Sequence, residues 1–287
     1  MAESTTITAA AAGTIAIGGD LPVNRFGFGA MRITGSGIWG EPADREECVR
    51  VLRRALELGV TLIDTADSYG PEVSERLIAE ALYPYPNELV IATKGGLLRP
   101  GPGQWVPDGR PQHLREACEG SLRRLKVDAI DVYQLHRPDP NVPYDESVGA
   151  LLELKDEGKI RHIGVSNVTV EQLEQAERIT PIVSVQNRYN LTDRSSEAVL
   201  AACSLEKLAF IPWAPLQVGK MPKEVEAIAD KHHVSTNQVL LAWLLHHSPV
   251  MTPIPGTSKV AHLEDNVAAA SLSLEPAELE AIDQTSK

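Results

Sequence analysis

The amino-acid sequence predicts an α/β fold of the (β/α)8 TIM-barrel class. Three observations carry this. Short apolar, β-branched runs alternate with amphipathic stretches of helical period about eight times along the chain. The runs are apolar almost throughout, as parallel strands covered on both faces should be. Their polar residues gather at the C-terminal ends: Asp64, Lys94, His136, Ser166-Asn167, Gln186 and Trp213. In such a barrel all those ends meet on one face, where active sites sit.

The elements can be justified in order. The Ala-rich start "TITAAAAGTIAIGG" could pass for the core of a signal peptide, but no basic segment precedes it and Gly18-Gly19-Asp20 breaks it. It is read as a flexible tail over residues 1–12 leading into a short strand, with one barrel domain over 13–287. "RFGFGAM" is the first barrel strand. The helix "DREECVRVLRRALELG" follows, with Asp44 at its cap and Gly59 at its stop. "VTLID" precedes "VSERLIAEAL", and "ELVIATK" precedes "PQHLREACEGSLRRL", which Pro111 starts. "AIDVYQLH", "IRHIGVS" and "IVSVQ" are each followed by a helical stretch. "LAFIPWA" precedes "PKEVEAIADKHH" and "STNQVLLAWLLHH"; "VMTPIPG" precedes "KVAHLEDNVAAA". No low-complexity linker divides the series.

Composition narrows the function classes. The 287 residues carry a net charge of −12, from 27 basic and 39 acidic side chains. That argues against a nucleic-acid partner. No apolar run approaches the ~18 residues a membrane span needs. Cys48, Cys118 and Cys203 are odd in number and match no metal or redox spacing, so a reducing cytoplasm is expected. The histidine pairs at 232–233 and 246–247 are not read as a metal site, because adjacent helical residues point about 100° apart. A monomer is the default.

"GSGIWG", Gly35 to Gly40, imitates the G-x-G-x-x-G dinucleotide fingerprint, with Asp64 at the end of the next strand. The third glycine of that fingerprint should lie in the first turns of a helix. Here Glu41-Pro42-Ala43-Asp44 intervene, and Ile38 and Trp39 are bulky where a pyrophosphate needs open backbone. The stretch is read instead as a mobile loop over the barrel mouth, with Trp39 touching substrate.

Four residues make a chemically coherent set. Tyr69 is a phenol whose ordinary pKa is ~10. A neighbouring ammonium, Lys94, would bring it toward the working range. A buried lysine needs a partner, and Asp64 is the candidate. His136 can polarise a substrate oxygen or share the proton. Singly, each has an ordinary structural explanation as a cap, a solvated charge or a core residue. On consecutive strand ends they read as a site.

"GVTLIDTADSYG", "IATK", "DVYQLHRPD", "IRHIGVSN", "SVQNRYN" and "IPGTSKVAHLEDN" together resemble the aldo-keto reductases, from about Phe26 to the last helix. The resemblance implies a barrel closed at its base by an N-terminal β-hairpin, and reduction of aldehydes and ketones with NADPH. It places the family's catalytic tetrad on Asp64, Tyr69, Lys94 and His136. It gives Ser166, Asn167 and Gln186 to the nicotinamide carboxamide, Trp213 to stacking on the ring, and Pro215 and Leu216 to the loop beside it. Many relatives hold the adenosine 2′-phosphate with a Lys and an Arg; the matching positions here are Gly256 and His262. Thr257, Ser258 and Lys259 remain for the phosphate, with Asp265 and Asn266 for the adenine. The departure weakens the expected preference for NADPH and leaves NADH open.

Selectivity is expected from Ile38, Trp39, Trp105 and Arg137 on the loops after the strands. "GIWG", "ALYPY", "GVSNVT" and "VQNRYN" look like the pyridoxal-reductase-like branch, which makes pyridoxal a candidate beside other aldehydes and ketones. Two other readings stay open. One is a cofactor-sensing regulatory subunit of the channel β-subunit type. The other is a barrel hydrolase using Asp64 and Asp67 as a carboxylate pair.

Overall fold

The structure, a computed structural model, describes residues 7–285. A hairpin of β1 (Thr14–Ile17) and β2 (Leu21–Asn24) comes first. The barrel then alternates β3 (Phe28–Gly29), α1 (Arg45–Glu57), β4 (Leu62–Asp64), α2 (Val73–Leu82) and β5 (Val90–Gly95). After a small hairpin, β6 (Leu97–Leu98) and β7 (Val106–Pro107), come α3 (Pro111–Leu125), β8 (Ile130–Leu135) and α4 (Tyr144–Asp156). They are followed by β9 (Ile160–Ser166), α5 (Val170–Glu177), β10 (Ile182–Gln186), α6 (Glu197–Glu206) and β11 (Ala209–Phe210). The chain continues with α7 (Lys223–His232), α8 (Thr236–His247), α9 (Val260–Ala268) and α10 (Pro276–Gln284).

Seven strands form one parallel sheet in the order β11-β10-β9-β8-β5-β4-β3. The order is sequential, unlike that of a Rossmann sheet, so "GSGIWG" has no switch point to serve. The eighth position is filled by the extended segment around Met251–Ile254. Thr252 N–H donates to Phe210 O at 2.8 Å on one side, and Gly27 N–H donates to Pro253 O at 3.0 Å on the other. Two prolines in this segment, Pro253 and Pro255, remove ladder donors, so it closes the barrel without becoming a regular strand.

The helices end where local chemistry requires. Asp44 accepts from Glu47 N–H and caps α1, while Gly59 takes the left-handed φ of 77° that stops it. Thr169 and Gln172 form a capping box on α5, and Ser235 caps α8.

One apolar cluster lies between sheet and helices; a second fills the barrel interior. In the interior cluster Ile17, Leu21 and Val23 of the first hairpin meet Leu62, Val90 and Val132 of the barrel strands. The hairpin is therefore a plug, as the family resemblance implied. Its turn packs so closely on β9 that a Cβ at Gly18 would lie 2.4 Å from the His162 ring, and Asp20 Oδ1 lies 2.6 Å from His162 Nε2.

Three expectations change. Residues 1–6 of the expected tail lie outside the described residues, but Ala9–Ala12 form a 3-10 turn with Ala9 and Ala12 buried. Ala9 N–H donates to Leu58 O, so the end of α1 holds it down. The stretch after β5, read as a loop, contains the β6–β7 hairpin. "LAFIPWA" is strand only over Ala209–Phe210; Pro212 has no N–H for the ladder, and Ala214 turns to a φ of 56° at the barrel mouth.

One buried ion pair joins the helical layer to the sheet. Glu75 of α2 has no exposed surface. It accepts from Thr93 Oγ1 and from Arg124 Nε, both at 2.6 Å. Arg124→Met should leave that carboxylate uncompensated and cost about 3–5 kcal/mol of stability. Urea denaturation midpoints would check this, and adding Glu75→Gln should restore most of the loss.

Candidate active site

The strand ends converge on one cavity of about 440 Å³ at the C-terminal mouth of the barrel. At its floor Lys94 is fully buried. Its ammonium donates to Asp64 Oδ1 at 2.6 Å, to Thr65 O at 2.8 Å and to the Tyr69 hydroxyl at 3.4 Å. Gln186 Nε2 donates to the other oxygen of Asp64 at 2.8 Å. Both carboxylate oxygens thus have a donor, the condition under which a buried ion pair is tolerable. The Tyr69 and His136 rings meet edge to face, their centroids 5.9 Å apart. All four expected tetrad residues come together here.

Burial is the largest influence on each of these groups. It pushes the Asp64 carboxyl up, against the pull of Lys94 and Gln186. It works against the charged form of Lys94, but Asp64 and Tyr69 outweigh it and hold the ammonium above its ordinary pKa. His136 lies well below the ordinary histidine value, through burial and then the charges of Lys94, Arg137 and Arg99; it is a neutral imidazole. For Tyr69 the sequence expectation is corrected. Lys94 does favour the phenolate, but burial wins and the pKa rises. The phenol is held in its protonated form.

Asp67 belongs elsewhere. It faces a separate depression behind the β4–α2 loop, with Pro71, Glu72 and Arg124. Burial, with Glu75 nearby, pushes its carboxyl up to about 8. Asp64 is committed to Lys94 and Gln186, so the carboxylate pair of the hydrolase reading is not formed in one cavity.

Ser166, Asn167, Gln186, Trp213, Pro215, Leu216 and Gly256 all line the cavity. Asn167 stands at a left-handed φ of 59°. Its Nδ2 donates to His136 O and Ser166 Oγ, and its Oδ1 accepts from Trp213 Nε1 at 3.1 Å. Asn167 is therefore a bracket that fixes the plane of Trp213. The strained backbones of Asn167 and Ala214 flank this bracket, and such strain recurs at functional sites. Gln186 Nε2 donates to Asp64 Oδ2 and, at 3.3 Å, to Gln134 Oε1.

A second, more polar depression adjoins the first. The two share Met31, Arg32, Ile38 and Gly256, and the second also takes in Thr257 and Ser258 before α9. Lys259 and His262 are exposed beyond that wall. Asp265 is engaged by α8: it accepts from Ser235 Oγ at 2.8 Å and Gln238 Nε2 at 2.7 Å. Asn266 is buried beside it.

The mouth is organised by a residue the sequence reading missed. Arg99 donates to Ser68 O at 2.9 Å, Gln104 O at 3.0 Å and Gly37 O at 3.4 Å. Its guanidinium lies 3.5 Å from the Trp105 ring centroid and 5.5 Å from that of Trp39. It ties the β6–β7 hairpin to the loops after β3 and β4. Ile38, Trp105 and Arg137 line the cavity as expected, but Trp39 does not. The expected mobile loop is a hydrogen-bonded knot: Gly35 N–H donates to Gly40 O, Ile38 N–H to Gly35 O, and Gly40 N–H to Gly70 O. A Cβ on Gly35 would lie 2.2 Å from Trp39 O, so only glycine permits the closure. Arg32 was also missed, since nothing in "AMRITG" marks a side chain that reaches the cavity.

One histidine of each pair is structurally engaged. His232 bonds Glu278, and His247 bonds Tyr189 and Glu197. No helix among the described residues is long and apolar enough to cross a membrane.

Comparison with known proteins agrees with this geometry. Residues 25–287 match the Aldo/keto reductase family. An uncharacterised oxidoreductase of Schizosaccharomyces pombe is 51% identical over 289 residues, covering 100% of this chain and 94% of that one. Pyridoxine 4-dehydrogenase of Escherichia coli is 41% identical over 278 residues, covering 94% of this chain and 97% of that one. Among solved structures, an aldo-keto reductase from Klebsiella pneumoniae in complex with NADPH superposes with a TM-score of 0.79 at 30% identity. That match covers 95% of this chain and 94% of the other. The chain belongs to the aldo/keto reductase family and is an NAD(P)H-dependent oxidoreductase.

Proposed function

We propose that the protein reduces an aldehyde or ketone to an alcohol with NADPH, and that Tyr69 donates the proton. One observation carries the reading: a protonated phenol, 3.4 Å from a buried ammonium, opens beside a neutral imidazole into a largely apolar cavity. A reduced nicotinamide, if bound here, would supply the hydride for the carbonyl carbon. Tyr69 gives its proton to the carbonyl oxygen as negative charge develops there, and Lys94 stabilises the phenolate left behind. His136, neutral, contributes a hydrogen bond without competing for that proton. Asp64 holds Lys94 in place, and Gln186 holds Asp64.

The residues present suit a nicotinamide dinucleotide. Trp213 offers a flat apolar face whose plane Asn167 fixes. Ser166, Asn167 and Gln186 bring amide and hydroxyl groups to the same wall. Pro215 and Leu216 continue it. The second depression, at the N-terminus of α9, suits phosphate through backbone N–H groups and the helix dipole. Thr257, Ser258 and Lys259 would serve there, with His262 and Asn266 toward the adenosine. Arg32 adds a second cation to Lys259 there. These groups support NADPH over NADH.

Pyridoxal is the candidate substrate, supported by the relative named Pyridoxine 4-dehydrogenase. The three cysteines, all buried and unpaired, fit a reducing cytoplasm.

Three outcomes are expected. NADPH should quench tryptophan fluorescence saturably and bind clearly more tightly than NADH. Trp213→Ala should abolish most of the quenching, and no quenching in the wild type would remove the cofactor site. Tyr69→Phe should lower kcat by roughly 10²–10⁴-fold; near-normal turnover would rule Tyr69 out as the acid. His136 adds a pH dependence of stability. Its folded pKa is depressed, so below about 6.5, the unfolded value, only the unfolded chain takes up the proton. Stability is therefore lost as pH falls below that point. His136→Gln should show a smaller drop in urea midpoint between pH 7.5 and pH 5.5 than the wild type.

A further inference from the structure

We propose that Arg137 binds an anionic group on the substrate, so that the preferred carbonyl compound carries a carboxylate or a phosphate. This rests on the reductase reading and narrows its substrate class: an anionic aldehyde is preferred over its neutral counterpart, pyridoxal included.

The charges on the cavity wall are unbalanced. Its charged side chains are Arg32, Arg137 and Asp64, and Asp64 is the one acid. Asp64 is already committed, with Lys94 on one oxygen and Gln186 on the other. Arg32 belongs to both depressions and stands near Gly256, on the side of α9. Arg137 lines the first cavity alone. It follows His136 directly, on a backbone that Asn167 Nδ2 fixes by donating to His136 O at 3.0 Å.

Arg137 is exposed, and no described carboxylate or carbonyl accepts from it. The nearest acid in sequence, Asp139, is turned away: it accepts from Gly109 N–H at 3.0 Å and from Asn141 N–H at 2.8 Å. In a chain with a net charge of −12, carboxylates are plentiful, yet none meets this guanidinium. The contrast with Arg99 is direct, since Arg99 donates to three backbone carbonyls and stacks on Trp105. A guanidinium left free over an apolar wall is suited to one partner, a planar or tetrahedral oxyanion taken by its fork of donors.

Arg137 is also close enough to His136 for its charge to help keep the imidazole neutral. A role confined to that tuning would affect all substrates alike. Recognition of an anion would not, and the test exploits the difference.

The experiment compares kcat/KM with NADPH for two matched pairs: 4-carboxybenzaldehyde against benzaldehyde, and pyridoxal 5′-phosphate against pyridoxal. In the wild type at least one anionic member should exceed its neutral partner by on the order of tenfold or more. A gain in the first pair alone assigns a carboxylate, and in the second alone a phosphate. Arg137→Gln should bring that ratio to about one, and Arg137→Lys should keep part of it. Because the side chain is exposed, melting temperatures should stay near wild type, and the wild-type ratio stands without any variant. A wild-type ratio near one in both pairs overturns the proposal while leaving the reductase intact. So does a ratio that survives Arg137→Gln. No turnover of any of the four aldehydes removes the reductase reading itself, and this proposal with it.

Discussion

The site depends on the buried ion pair between Lys94 and Asp64. An unpaired ammonium with no exposed surface would be too costly to keep charged. Asp64 alone would be an equally poor buried group. Together, with Gln186 on the second carboxylate oxygen and Thr65 O on the ammonium, they form a satisfied unit that three different strands must close around. The pair fixes how β4, β5 and β10 face each other at the mouth. It also places the ammonium 3.4 Å from the Tyr69 hydroxyl. Packing of the strand ends and the electrostatics around Tyr69 therefore rest on the same contact.

Around this unit the barrel separates two tasks. The base is closed by apolar residues of the first hairpin, Ile17, Leu21 and Val23, which fill the interior and exclude water from below. The mouth is built from loops tied by polar contacts, with Arg99 joining three of them through backbone carbonyls. Backbone strain is found at the mouth as well: Asn167 and Ala214 hold left-handed conformations on either side of Trp213. The hydrophobic base can bear the cost of an irregular, polar rim.

Electrostatics sharpen the division of labour. Burial, and then the charges of Lys94, Arg137 and Arg99, keep His136 neutral, although the chain as a whole is acidic. The local field at the cavity floor is thus positive within a negative protein. On Tyr69 burial acts against that field and keeps the phenol protonated. Simple pairing of Tyr69 with Lys94 suggested a lowered phenol pKa. The tertiary structure reverses the sign, because desolvation of the phenolate outweighs one ammonium at 3.4 Å.

The sequence by itself determined the alternation of strands and helices, the cap of α1 at Asp44 and its stop at Gly59, and the placing of Asp64, Lys94, His136 and Gln186 on strand ends. These follow from period, burial pattern and short-range hydrogen bonding, which are local. What only the tertiary structure decided lies in contacts between segments far apart in the chain. The irregular eighth position depends on Phe210 and Gly27 bonding either side of it. The knot at Gly35–Gly40 depends on Gly70, and it turns Trp39 off the cavity that Ile38 lines. Asp265 is drawn to α8 by Ser235 and Gln238. Arg32, Arg99 and Arg137 look alike in sequence as cations on loops. Their different neighbours, set by folding, make one a cation shared by the two depressions, one a loop clasp and one a free guanidinium over the cavity.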